Sequence, residues 1–267
     1  MTVGREQVER ETYMACNEAI VRSLVGIAIN QNQNIGTGTF VSFAGKQFVL
    51  TANHVIDNID LSECRFFVPP PTPLIEHSMR SGLPKEFGLP SPGEFLSIGS
   101  AILRDVPNDI AALPLLSTTL IPDYIRFFPI ESAIDPKDGL SVMVVGFPVA
   151  NSAELGRSPG HEFRALGLTS EHGLYSASAQ ATRTLHSSFD PDRHFVLEYT
   201  RDSDGIAPSG FSGAAGWLIS TSNSVFWNPE PILVGIFTRW HKKTTGHPDL
   251  LQPTRASVIK GLFATTK

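Results

Sequence analysis

The chain has 267 residues, 41% of them hydrophobic and 18% charged, with a formal net charge of −5 and a pI near 5.9. That is enough apolar material for a globular all-β unit, and no cluster of Lys and Arg builds a phosphate-binding stripe, so nucleic acid is excluded as an expected partner. No apolar run approaches the roughly 20 residues that span a bilayer, and Met1 to Thr12 is polar and charged where a secretory signal would be apolar. The expectation is a cytoplasmic chain with no membrane partner. Its two cysteines, Cys16 and Cys64, are too few for a disulfide framework and fit a reducing compartment as packing residues. A single bridge between them stays open at this point.

In chain order, residues 5–22 place apolar side chains at helical spacing and predict an N-terminal helix. From Leu24 the pattern changes to short β-branched and aromatic runs: 24–29, 37–43 and 47–51, the last two joined by a turn at Ala44-Gly45-Lys46. Further strands are predicted at 64–68, 95–103, 110–113, 141–146, 166–181, 194–200, 214–219 and 232–238. Between Pro69 and Pro92 stand seven prolines, which read as a stiff insertion between strands. A crossing between two halves falls near 114–140. Pro253 and Thr254 introduce a short amphipathic helix over 255–264. Many strands and few helices predict a sandwich or barrel: residues 1–23 as lead-in, 24–125 as a first barrel and 126–267 as a second.

Three short motifs carry chemistry. They are Leu50-Thr51-Ala52-Asn53-His54-Val55, Asn108-Asp109-Ile110-Ala111-Ala112-Leu113 and Ser209-Gly210-Phe211-Ser212-Gly213-Ala214. A serine hydroxyl is a weak nucleophile until a base within hydrogen-bond reach takes its proton, and that base needs a third group to orient it. His54 fits the base, Asp109 the orienting carboxylate and Ser212 the nucleophile. Gly210 and Gly213 permit a tight turn in which the backbone N–H groups of Gly210 and Ser212 converge as an oxyanion hole. Of the eight histidines, only His54 has this strand-end context. Asp57, Asp60 and Asp105 compete with Asp109, but only Asp109 precedes an apolar run that would bury it.

The order His, Asp, Ser is that of the double-barrel peptidases. With Gly36-Thr37-Gly38-Thr39-Phe40 ahead of the histidine, the Asp-Ile-Ala-Ala-Leu run and the Gly-Phe-Ser-Gly turn, the chain resembles the trypsin/chymotrypsin-like serine peptidases over roughly 24–264, especially bacterial members that act inside the cell. The resemblance implies two six-stranded antiparallel β-barrels in a chymotrypsin-like double barrel, here with an N-terminal and a C-terminal helix. It implies a serine endopeptidase that cleaves protein or peptide substrates through an acyl-enzyme. Two departures stand out. Ala214 replaces a usual glycine, adding a methyl group beside the nucleophile turn, and Phe211 stands where secreted digestive members carry an aspartate for a freshly cut N-terminus. Activation by such a cut is not expected, and an unidentified activating partner fits the pattern better.

For substrate, gapless matching of the nucleophile turn puts Ile206 at the floor of the specificity pocket. A gap of two would put Asp204 there instead. Phe237, Thr238 and Arg239 sit where the family pairs substrate as an added strand, with Trp240 beside them. No cofactor is expected: Gly36-Thr37-Gly38 is not followed by the helix and Lys-Ser/Thr of a phosphate loop, and His241, His247 and Asp249 lack the spacing of a metal site. Two other classes compete. One is a peptide-binding pseudoprotease, motivated by Ala214. The other is an α/β-hydrolase, whose acid and histidine would follow the serine, against the order seen here.

Overall fold

The computed structural model describes residues 2–29, 34–61, 64–68, 98–119, 121–137, 142–147, 166–168, 189–199, 209–219, 229–241 and 249–265. Helix α1 runs Thr2–Val21 and is followed by strands β1 (Leu24–Ile29), β2 (Asn34–Phe43), β3 (Lys46–Ala52), β4 (Arg65–Phe67), β5 (Leu103–Asp105), β6 (Ile110–Pro114) and β7 (Phe128–Pro129). These strands form one sheet in the order β4-β1-β2-β3-β6-β5, with β7 added in parallel on β2. The second sheet takes β8 (Met143–Gly146), β9 (Leu166–Leu168), β10 (Leu197–Tyr199), β11 (Ala215–Ile219), β12 (Pro231–His241) and β13 (Asp249–Arg255). Its order is β10-β13-β12-β11-β8-β9, antiparallel throughout. Helix α2 (Ala256–Ala264) follows β13.

Two antiparallel sheets of this order, with a helix at each end, make the expected chymotrypsin-like double β-barrel fold. Among the described residues both sheets are open, and the first carries the seventh strand β7, which reaches past the expected boundary at 125. The proline-rich stretch 69–92 lies outside the described residues, as does most of the strand expected over 166–181. The 95–103 expectation resolves into an isolated bridge at Ile98 and the later strand β5.

Local chemistry explains the turns that set this register. At the β2–β3 hairpin, Ala44 and Gly45 have φ of 48° and 74°, the paired left-handed conformations of a two-residue turn whose twist matches the strands. The Ala44 N–H donates to Glu131 Oε1 at 3.1 Å, which offsets the strain an alanine meets there. Helix α2 receives a carboxylate at its start: the Ser257 N–H donates to Asp135 Oδ1 at 2.8 Å, satisfying one of the amides a helix N-terminus leaves unpaired.

The strands read as continuous apolar runs because both of their faces are buried. On β3, Phe48 and Leu50 enter a central cluster while Val49 faces a core inside the first half. On β8, Met143 and Val145 join the central cluster while Val144 faces a core inside the second half. Strand β12 departs from strict alternation: Gly216 pairs Gly235 and Trp217 pairs Leu233, so Val234 is an extra, bulged residue. Both helices feed the central cluster, α1 through Ala19 and Ile20 and α2 through Ile259, Leu262 and Phe263. Each large side chain there contributes about 1.5–3 kcal/mol by leaving water, so the seam between the halves is itself a hydrophobic core. Cys16 of α1 is fully buried, and burial pushes its thiol up to about 11. Both cysteines are free thiols.

Candidate active site

Strand β3 ends at Ala52 and turns at once into a short 3-10 helix, Asn53–Val55. Val55 and Asn53 point inward, leaving His54 on the outer side with its side chain 49% exposed. Arg104 buttresses this turn by donating to Asn53 Oδ1 at 2.7 Å and to the Ile56 carbonyl at 3.4 Å. The partner of the histidine comes from the next strand over. Asp109 closes the β5–β6 hairpin, and its carboxylate accepts twice from one residue: from the His54 N–H at 2.9 Å and from ring Nδ1 at 2.7 Å. With a carboxylate opposite, Nδ1 carries the proton, so the lone pair of the neutral ring is on Nε2.

Asp109 adopts the left-handed region at φ 54°, which Asp tolerates better than most residues but at a cost. The hairpin loop holds it there. Asp105 accepts from the Asn108 N–H at 3.2 Å and from Asn108 Nδ2 at 2.6 Å, while the Asp109 N–H donates to the Val106 carbonyl at 3.1 Å. From the second half, the Thr254 hydroxyl donates to the Asn108 carbonyl at 2.8 Å.

Ser212 stands in a turn flanked by two left-handed glycines, Gly210 at φ 95° and Gly213 at φ 87°. The Ala214 N–H donates to the Phe211 carbonyl at 2.7 Å, and Gly213 and Ala214 are laced to Phe237 of β12 by two bonds of 2.8 Å. Phe211 is 1% exposed within the second-half core, an apolar anchor for the turn. A Cβ on Gly213 would lie 2.0 Å from the Thr37 carbonyl oxygen and 2.2 Å from Thr51 Oγ1, so backbone of the two halves approaches here as closely as only glycine allows. The extra methyl of Ala214 also has its space: a Cβ on Gly146 would come within 3.1 Å of the Ala214 Cβ. The bare glycine at 146 makes room for the alanine at 214.

His54, Asp109 and Ser212 line one open cavity of about 620 Å³. Asn53, Asp57 and Val106 form its wall on the first half, and Thr238, Arg239, Trp240 and His241 of β12 form the facing wall. Of the residues expected to bind substrate, Thr238 and Arg239 are among those lining this cavity. Phe237 is not: its side chain is 2% exposed in the second-half core, and its N–H and carbonyl are taken by Ala214 and Gly213. The cleft wall begins one residue later. Ile206 and its competitor Asp204 lie outside the described residues.

Pro253 of β13 has no N–H to give, and the register slips there: Phe237 pairs Pro253 and Arg239 pairs Gln252, leaving Thr238 bulged. The Thr238 hydroxyl donates to the Gln252 carbonyl at 3.0 Å. The Gln252 side chain, 1% exposed, bonds His241 Nε2 through Oε1 at 2.8 Å. Gln252 thus anchors two residues of the cleft wall. Sequence reasoning passed over it because it precedes Pro253 in what read as the approach to a helix. Among the described residues no group of three or more His, Cys, Asp or Glu is placed to hold a metal ion, and no helix is long and apolar enough to cross a membrane.

The fold is that of the trypsin/chymotrypsin-like proteases. The chain is similar to the crystal structure of the scabies mite inactivated protease paralogue S-I1, with a TM-score of 0.55 at 19% identity, covering 94% of this chain and 98% of that one. No family model matches the chain. No curated protein matches it either.

Proposed function

We propose that this chain is a serine endopeptidase acting on protein or peptide substrates. The observation that carries the reading is the doubly bonded His54–Asp109 pair facing the same cavity as Ser212. Ser212 Oγ attacks the scissile carbonyl while His54 Nε2 takes its proton, and Asp109 stabilises the imidazolium that forms. The N–H groups of Gly210 and Ser212 hold the tetrahedral oxyanion. His54 then returns the proton to the leaving amine, and water attacks the acyl-enzyme by the same route. The Ala214 methyl, accommodated by Gly146, offers no steric objection to this chemistry.

A fluorophosphonate probe is expected to label wild-type protein at Ser212 and to leave Ser212→Ala unlabelled, with peptide turnover in the variant reduced by roughly 10⁴-fold or more. The alternative is a peptide-binding module without turnover, and it draws on the inactivated paralogue whose fold the chain shares. A folded wild type that binds an extended peptide in the cleft but never takes the label decides for that alternative.

A further inference from the structure

Thr37 of β2 lies 173 residues before Gly210 and is fully buried, yet every polar group it owns is engaged around the nucleophile turn. Its N–H donates to the Ser212 carbonyl at 2.8 Å. Its hydroxyl donates to the Gly210 carbonyl at 2.9 Å and accepts from the Phe147 N–H, also at 2.9 Å. Its own carbonyl accepts from the Thr51 hydroxyl at 2.7 Å, one strand away and just before the turn that bears His54. One residue therefore touches the serine turn, the end of β8 and the strand leading to the base.

We propose that Thr37 is a positioning residue, whose hydroxyl fixes the Gly210–Phe211 peptide and thereby aims the backbone amides on either side of it. The inference rests on the peptidase reading, in which the N–H groups of Gly210 and Ser212 hold the oxyanion. Gly210, lacking a Cβ and sitting at φ 95°, is conformationally free in itself. Its carbonyl is the handle by which that freedom is removed. The hydroxyl is closely packed as well as bonded: a Cβ on Gly146 would lie 2.8 Å from Thr37 Oγ1. A donor misplaced by about 1 Å forfeits much of its hold on a transition state while leaving ground-state binding nearly untouched.

The test compares Thr37→Val, which keeps the shape and removes the hydroxyl, with Thr37→Ser, which keeps the hydroxyl. Active sites are counted with the fluorophosphonate probe, so that rates refer to competent molecules only. Thr37→Val is expected to lower kcat per titrated site by about 10- to 100-fold, with KM and the pH profile unchanged. Its affinity for a peptidyl boronate, which forms a tetrahedral adduct, should fall with kcat. Thr37→Ser is expected to recover most of both. Should Thr37→Val fail to fold, Thr37→Ala, which empties the same space, is measured in its place. A variant that loses stability but keeps its kcat per site overturns the positioning claim alone, as does a Thr37→Ser as impaired as Thr37→Val. A wild type that takes no label overturns the peptidase reading and this inference with it.

Discussion

The proposed base and the proposed nucleophile are held in opposite ways. His54 and Asp109 sit on neighbouring strands of one sheet, β3 and β6, and the pair is built almost wholly from first-half parts: the 3-10 turn, the Asp105–Asn108 clamp and the Arg104 buttress. The Ser212 turn belongs to the second half, but its carbonyls at 210 and 212 are held by Thr37 of the first. A pair fixed within one sheet keeps its geometry when the seam is disturbed. A turn fixed across the seam depends on the seam.

Replacing Gly213 with Ala strikes hardest at that difference. The new Cβ would fall 2.0 Å from the Thr37 carbonyl oxygen at a residue whose φ is 87°, adding overpacking to left-handed strain for a loss of about 3 kcal/mol or more. A urea titration reads the stability, and fluorophosphonate labelling is expected to disappear with it. Thr254→Val is milder and probes a bond by which the second half steadies the Asp109 loop. It leaves the Asn108 carbonyl without its hydroxyl donor, at a cost of about 1–2 kcal/mol. If the acid–base pair is as self-contained as its contacts indicate, the pH profile of turnover stays where it was.

The smallest effect concerns His194, buried beside β13. Burial, foremost, and then the cations of Arg239 and Arg193 hold its pKa below the ordinary 6.5, against an opposing pull from Asp190. Its Nδ1 accepts from the Asp190 N–H at 3.1 Å, which requires the neutral ring. The unfolded chain takes up this proton at a higher pH than the folded one. The stability it lends is present above pH 6.5 and is lost as pH falls towards the depressed folded value. Thermal melts across this range are expected to fall more steeply for wild type than for His194→Asn, which keeps an acceptor but does not titrate.

The reactive motifs were legible because they are local: a strand end before His54, an apolar run after Asp109 and glycines around Ser212 each announce themselves within six residues. What escaped the sequence is contact across distance. Thr37 reads as one more alternating strand residue, and nothing nearby tells that its hydroxyl meets a carbonyl 173 positions on. Strand β13 escaped because Pro253 argues against a ladder, and the protein answers that objection with a bulge.

Counting along β12, the side chains that reach the second-half core are Val234, Phe237 and Trp240, every third residue where a plain strand would offer every second. The two inserted residues, Val234 and Thr238, account for this stride. Each reverses the parity of the residues beyond it, and together they cancel. Deleting either residue would join neighbours that already pair consecutive partners, closing the bulge and leaving Trp240 and the rest of the strand facing as before. The rim of the cleft can therefore change length by a single residue, where a plain strand would have to change by two.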